Sequence, residues 1–556
     1  MPVVNFSIDR LTKFFPGMDL TTIVELLPFV ALDIESITNE FIRVEYNPNR
    51  PDFASEYGIV RALRGLAGIE TGIPKFAMHK KKRMQYLVNV DSSVKEFRPF
   101  ILAMVAKRKA NIDDQSIRQL IAMQEDLHNG IGRRRMKASI GIHNLDVIKF
   151  PVSYKTVSGD FSFVPVDQLR KKKSIQSILK EYDVGREYGY ILEKSNENNK
   201  YPLVLDAENN VLSFPPIINA DLTKLNTNTH NVFIEVTANN QKTAEDVLAI
   251  FALTLYEAGF EIHCALINDI KGYMVTPKMD PSYIDVDPNY INRLLGLELK
   301  VNEILKCLRK SRLNANIIHK RKIKCTIPRY RTDILHPIDI VEEVAIGYGI
   351  YNLKPTMPSS IHAGQRNCLS FYIDIMRDIL VGLEILEITN FTLVGRKVQY
   401  QLTGLSEPNR VLKVDGAKSA EHEILRGTLI PSLLNSLSYN VHEEYPQKLF
   451  EIGKVFQCSN GINEYWSLGV VVAHNNSGYT EAKAILQTLL KTGFGKTAVT
   501  KATTHPMFIN GRCANINVDD KYLGIIGEIT PLAIDNFKIR VPVVAFELNL
   551  SSFLQI

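Results

Sequence analysis

Cysteine is scarce and scattered. The six cysteines, Cys264, Cys307, Cys325, Cys368, Cys458 and Cys513, form no C-x-x-C pair. That spacing suggests neither a zinc cluster nor a disulfide framework, and it fits a reducing cytoplasm. No apolar run approaches the roughly 20 residues needed to span a bilayer. The opening MPVVNFSIDRL lacks the basic-then-apolar order of a secretory signal. Internal repeats and low-complexity linkers are missing too. The formal charge is only +6, which permits a nucleic-acid partner without demanding one. What is present is ordinary for a folded protein, with 45% hydrophobic and 23% charged residues. At 556 residues the chain is too long for one core, and about three to five domains are expected.

One stretch stands out, Arg331–Tyr351, RTDILHPIDIVEEVAIGYGIY. It holds Asp333, Asp339, Glu342 and Glu343 within eleven residues. Pro337 suits the first turn of a helix, and Gly347 and Gly349 suit its end. Asp339, Glu342 and Glu343 then stand at i, i+3 and i+4 on one face. Ile338, Val341, Val344 and Ala345 form a neighbouring apolar face, the pattern of a docked helix. Asp333 lies just upstream, within reach of the same spot. Clustered carboxylates with only His336 as a softer neighbour predict a hard cation, Mg2+ before Zn2+. The competing reading is a solvated acidic face at a helix N-terminus, where acids are favoured anyway.

Along the chain, Pro2–Ile8 and Ile42–Tyr46 read as strands and Thr21–Leu27 as a helix. Asn47-Pro48-Asn49-Arg50-Pro51-Asp52 is a turn before a helix over Phe53–Ala67. His79-Lys80-Lys81-Lys82-Arg83 is a charged edge or linker, with phosphate contact as the other reading. Ser116–Asn129 is helical and runs into the basic corner Gly130-Ile131-Gly132-Arg133-Arg134-Arg135. Ala138–His143, Tyr201–Leu205 and Asn231–Thr237 are strands, and Pro215-Pro216 bends the segment Val211–Asn219. Further on, His319, Lys320, Arg321 and Lys322 mark a basic hairpin edge. Beyond Pro355 the expected elements are helices over Phe371–Gly382, Arg426–Asn440 and Ala482–Leu490. Strands are expected over Ile388–Val394, Leu449–Phe456, Ser467–Ala473, Gly524–Glu528 and Ala545–Leu550. Short connections predict mostly antiparallel pairing.

These motifs, in this order, resemble the beta subunits of phenylalanyl-tRNA synthetases of archaeal and eukaryotic type. The R-T-D-I segment, the D-x-x-E-E-V-A helix and the closing Y-G are similar to the family's metal-bearing domain, as is Tyr290–Leu299 upstream. N-P-N-R-P-D and its following helix resemble the N-terminal domain. Q-E-x-L-H-x-G-x-G-R-x-R, the ASIG-x-H strand, L-S-x-P-P-I-I-N and the I-E-V-T strand resemble the editing domain. LRGTLIPSLLNSLSYN, LFEIGKVF, HPMFINGRCA and YLGIIGEITP resemble its catalytic-like domain of class II fold.

The resemblance implies a set of roles. Asp333, Asp339, Glu342 and Glu343 match family positions that bind magnesium at the contact with the alpha subunit. Ser213, Glu235 and Thr237 match positions lining a pocket that hydrolyses tyrosine misattached to tRNA(Phe), and Leu203 matches more loosely. Glu235 and Thr237, two apart on a strand, face the same way. Many archaeal members carry Asp where this chain has Glu235. No Ser–His–Asp pattern argues for a covalent hydrolase, so positioned water is the expected nucleophile. A class II activation site needs a phosphate-holding arginine. Arg426 begins one such motif, but Gly493-Phe494-Gly495 is followed by Ala498 where a G-x-G-x-x-R helix has its arginine. A lone G-x-G is too weak to mark nucleotide binding, so the fold is expected without activation chemistry.

The expected architecture is multidomain α+β. It comprises an N-terminal α/β unit with linker (1–83), a mixed α/β editing domain (84–257) and a linker (258–270). A winged-helix-like metal-bearing domain (271–354) and a degenerate class II antiparallel-sheet domain (355–556) follow. The implied function is phenylalanine–tRNA ligation in a cytoplasmic (αβ)2 heterotetramer. ATP and Mg2+ serve the complex, tRNA(Phe) is the partner, and the alpha subunit holds the activation site. Set against the longer bacterial members, the resemblance implies a form without the inserted oligonucleotide-binding and terminal anticodon-binding domains, so anticodon reading is expected on the alpha subunit. The competing readings are a free-standing aminoacyl-tRNA hydrolase and a non-catalytic tRNA-binding scaffold.

Overall fold

The computed structural model describes residues 2–79, 85–166, 171–193, 199–270, 272–319, 322–357, 364–458 and 461–554. The chain divides into two compact units, Met1–Thr356 and Met357–Ile556. Lys80–Arg83 of the basic run, and Lys320 and Arg321 of the hairpin edge, lie outside the described residues.

One long curled sheet organises the first unit. Its order is Ile218–Asn219, Val211–Phe214, Lys200–Leu205, Val152–Ser158, Leu87–Val90, Glu261–Asp269, Phe100–Lys107, Asn231–Ala238 and Ala138–Asn144. Glu261–Asp269 sits mid-sheet, so the stretch 258–270, expected as a linker, is instead a core strand. Its Ile262, Ala265 and Ile267 are buried. The helix Gln241–Glu257 packs on this sheet and is buried without interruption from Ala244 to Leu255. A helix buried on all sides shows no clear amphipathic stripe, which is why periodicity did not reveal it.

The N-terminal strands Val3–Ser7, Phe41–Tyr46 and Leu32–Ile37 form a three-stranded sheet. Five of the six residues in Leu32–Ile37 are exposed, leaving no alternation to read. The helix expected over Phe53–Ala67 begins at Glu56, because Ser55 caps it by accepting the Gly58 N–H at 3.2 Å. Its Ile59 and Leu63 share one apolar core with Leu248 and Phe251 of the central helix. The N-terminal segment is thus cemented to the large sheet.

The unit closes with three helices, Pro288–Leu295, Val301–Lys310 and Pro337–Tyr348, around a small antiparallel sheet. That sheet has three strands, Ser282–Val286, Lys322–Ile327 and Asn314–His319. Gly347 lies inside the last helix, not at its end. A Cβ there would strike the Cys307 carbonyl, so the glycine permits the helix–helix approach. Gly349, at φ +98°, ends the helix.

The second unit is a seven-stranded sheet. The order is Leu386–Glu387, Gln447–Cys458, Ile462–Ala473, Val543–Asn549, Lys521–Ile529, Phe508–Val518 and Val499–Ala502. Every pair is antiparallel except the first. Helices Cys368–Gly382 and Tyr479–Phe494 cover one face through Met376, Leu486 and Leu489. The helix Ile430–Tyr439 covers the other through Leu433 and Leu437. Of the strand expected over Ile388–Val394 only Leu393–Val394 forms, while Leu386–Glu387 just before it pairs in the large sheet. Among the described residues no helix is long and apolar enough to cross a membrane.

Candidate functional site

The large sheet curls until its two ends face each other. Ser213, on the strand next to one end, donates from Oγ to Glu235 Oε1 at 2.7 Å, on the strand next to the other end. The gap between the ends is a cleft of about 690 Å3, roofed by the helix Asp114–Asn129 and the corner Pro215–Asn219.

The Ala138–Asn144 strand ends the sheet, and its outward backbone groups need partners. The roof helix supplies them: Gln124 Nε2 donates to the Ile140 carbonyl at 2.8 Å, and His128 Nε2 accepts the Ile140 N–H at 2.8 Å. His128 therefore carries its proton on Nδ1, directed at Glu125 Oε1 at 3.2 Å. Burial pushes the His128 pKa down and keeps the ring neutral. Burial opposes ionisation of Glu125, but the His128 hydrogen bond and Arg135 outweigh it and hold its pKa at about 2.

Arg135 ties the cleft together. It donates to both Glu125 oxygens at 3.0 and 3.1 Å and to the Pro216 and Ile217 carbonyls at 3.2 and 2.9 Å. Its guanidinium also stacks 4.5 Å from the Tyr188 ring. The basic corner is held in place: Arg133, Arg134 and Arg135 all sit at positive φ, between 51° and 65°. Left-handed backbone costs about 1–2 kcal/mol per non-glycine residue, and the fully buried Arg98 opposes that cost. It donates to the Arg135 and Met136 carbonyls at 3.1 and 3.3 Å, and to the Thr237 carbonyl at 2.9 Å. Burial pulls the Arg98 pKa down to about 10, against the opposing charges of Tyr154 and Glu235. Arg98 is thus a buried counter-charge for Glu235.

The four residues expected in the pocket separate. Ser213 and Glu235 meet and line the cleft. Thr237 is fully buried beneath it, its hydroxyl 2.9 Å from Ser139 Oγ. Leu203 is fully buried with Phe163, Ile175 and Phe214 in a satellite core and does not itself line the cleft. The sequence motif contained Gln124, Glu125, His128 and Arg135, but nothing in their spacing assigned them these contacts. Arg98 carried no signal at all. Ser213 gives its proton to a carboxylate rather than to an imidazole, so it is not set up as a nucleophile.

The acidic helix departs from expectation. Its buried face is Ile340, Val341, Val344 and Gly347, while Ile338 is exposed. Glu343 turns inward and Glu342 outward. Asp339 is spent on the helix start, where Oδ2 accepts the Leu335 and His336 N–H groups at 2.7 Å each. Arg331, buried, grips Asp333 through two hydrogen bonds of 2.9 and 2.7 Å and also pairs with Glu343. Arg50 of the N-P-N-R-P-D turn approaches Asp333 at 4.0 Å. Burial would raise the Asp333 pKa, but Arg331 brings it below the ordinary carboxylate range. The Glu342 carboxyl is pushed up by desolvation and by the like charges of Glu343, Asp333 and Asp339. The four acids do converge, but with Arg331 on two and the helix cap on a third they do not fit a magnesium ligand set. Among the described residues no group of three His, Cys, Asp or Glu is spaced for a metal.

Residues 353–550 match the family model of the phenylalanyl tRNA synthetase beta chain CLM domain, and residues 284–350 match the tRNA synthetase B5 domain. A phenylalanine–tRNA ligase beta subunit of Archaeoglobus fulgidus is 37% identical over 555 residues, covering 100% of this chain and 99% of that one. The chain belongs to the phenylalanine–tRNA ligase beta-subunit family. The beta subunit of Methanosarcina barkeri is 34% identical over 555 residues, again 100% of this chain and 99% of that one. The N-terminal fragment of the phenylalanyl-tRNA synthetase beta subunit from Pyrococcus horikoshii aligns with 62% of this chain and 99% of the fragment. Its TM-score is 0.58 at 31% identity.

As a phenylalanine–tRNA ligase beta subunit, the chain works with an alpha subunit and tRNA. Its second unit has no arginine free for ATP at the position expected. Arg426 is buried, donates to Glu451 Oε1 at 2.5 Å and to the Lys454 carbonyl at 3.0 Å. Gly493 lies within the helix Tyr479–Phe494, and Gly495 at φ +63° caps it. That G-x-G is a helix terminus, not a phosphate loop.

Proposed function

We propose that the cleft of the first unit removes tyrosine from mischarged tRNA(Phe), within a cytoplasmic (αβ)2 ligase whose alpha subunit activates phenylalanine. An apolar synthetic pocket rejects an added hydroxyl by only roughly 10²-fold. A second site must therefore bind that hydroxyl. The observation that carries this reading is Glu235, a carboxylate 1% exposed, oriented by Ser213 and left with Oε2 unpaired. A buried acceptor without a donor disfavours a phenyl ring and favours a phenol.

The roof supplies the rest. Arg135 and Glu125 hold the cleft mouth, and the peptide groups of Pro216 and Ile217 are fixed by Arg135. Water, rather than a protein nucleophile, attacks the ester carbonyl, and the ribose oxygen leaves with the proton that water gives up. Magnesium belongs to the ATP chemistry on the alpha subunit, and the acidic helix serves the fold through Arg331.

The test is Glu235→Ala in the co-expressed complex. Deacylation of tyrosyl-tRNA is expected to fall while phenylalanyl-tRNA synthesis stays near wild type. Unchanged deacylation would remove Glu235 from the pocket.

A further inference from the structure

Two buried polar atoms on neighbouring side chains lack hydrogen-bond partners. One is Glu235 Oε2 and the other is His143 Nε2, which lies 3.8 Å from Glu235 Oε1. His143 is fully buried, behind Glu235 and Thr223, both of which line the cleft. Its Nδ1 is 2.8 Å from Thr223 Oγ1, whereas that hydroxyl is 3.4 and 3.5 Å from the Ala220 and Leu212 carbonyls. With the ring proton on Nε2, facing the Glu235 carboxylate, Nδ1 accepts the Thr223 hydroxyl. A neighbouring carboxylate favours the same tautomer.

The pair therefore presents one acceptor and one donor. Between them lies Gly141, opposite Glu235 in register. A methyl group there would collide with both Glu235 Oε1 and His143 Nε2. A hydroxyl is the group that matches this pair, since it donates once and accepts as well.

We propose that His143 is the donor half of a two-point reader for the phenol hydroxyl, with Glu235 as the acceptor half. The inference rests on the hydrolytic reading of the cleft. Tyrosine's O–H donates to Glu235 Oε2 and its oxygen accepts from His143 Nε2–H. A phenylalanyl ester leaves both groups unmatched, the situation in which a site rejects the analogue lacking the hydroxyl most strongly. Thr223 is a positioning residue that acts through the tautomer of His143.

The experiment uses the full chain with its alpha partner and compares deacylation of tyrosyl- and phenylalanyl-tRNA. If the wild-type complex leaves tyrosyl-tRNA intact, the hydrolytic reading itself fails. With wild-type activity established, His143→Leu is expected to lower the tyrosine-to-phenylalanine ratio of kcat/KM about tenfold. The loss should fall on the tyrosyl ester alone. His143→Gln, whose amide N–H replaces the donor, should retain most of the ratio. Thr223→Val should lower the ratio by a smaller factor. Equal slowing of both esters in His143→Leu would overturn the proposal, because His143 would then serve the water or the fold. If His143→Leu does not fold, an unchanged ratio in folded Thr223→Val overturns it instead.

Discussion

Replacing Arg331 by methionine separates two accounts of the acidic helix. Arg331 is buried between Asp333 and Glu343, whose side chains are 13% and 7% exposed. Removing one member of a buried ion pair costs about 3–5 kcal/mol, since the remaining charge has no partner. Unfolding entropy of about 2.1 cal/mol/K per residue gives the unit Met1–Thr356 about 0.75 kcal/mol per degree. Arg331→Met should therefore lower the melting temperature of that unit by about 4–7 °C. Arg331→Met with Asp333→Asn and Glu343→Leu removes all three charges of the cluster and should recover to within about 1–2 kcal/mol of wild type. The assay is thermal unfolding of the complex, with and without EDTA. EDTA is expected to leave the wild-type transition in place. A large EDTA shift in wild type, together with a silent Arg331→Met, would refute the reasoning and assign neutralisation of the acids to a metal.

Gly141→Ala should cost about 1–3 kcal/mol by overpacking. By displacing Glu235 and His143 it should also slow tyrosyl-tRNA deacylation by about 10²-fold, measured against unchanged phenylalanyl-tRNA synthesis. Arg426→Met should lower the melting temperature of the second unit, because Glu451 is left buried and unpaired. The KM for ATP in synthesis should stay put; a rise would place Arg426 in nucleotide binding. The Glu125 pKa is depressed from 4.5 to about 2, so its contribution to stability is present above pH 4.5 and is lost as pH falls towards 2. Glu125→Gln should flatten the acid limb of melting temperature against pH over that window, and an unchanged limb would contradict the His128 and Arg135 contacts.

The local grammar of the chain was legible. Pro337 and Gly349 bound the acidic helix because one lacks an N–H and the other tolerates positive φ. Strands such as Asn231–Ala238 were readable from the sequence, and the missing arginine near Gly495 spoke against a nucleotide loop. Motif resemblance also singled out Ser213 and Glu235, and the structure joins them.

Only tertiary structure decided the rest. The helix Gln241–Glu257 is buried on all sides, so it shows no period, and the strand Glu261–Asp269 behind it passed for a linker. Spacing put Asp339, Glu342 and Glu343 on one face, yet i, i+3 and i+4 span a broad arc. Which side faced inward depended on Arg331 and on Arg50, far away in the chain. Leu203 and Thr237 left the cleft because a strand's side-chain alternation fixes a face but not what covers it. Arg98, Gly141 and His143 acquired meaning from curling of the sheet, which brings together backbone and side chains that no sequence window contains.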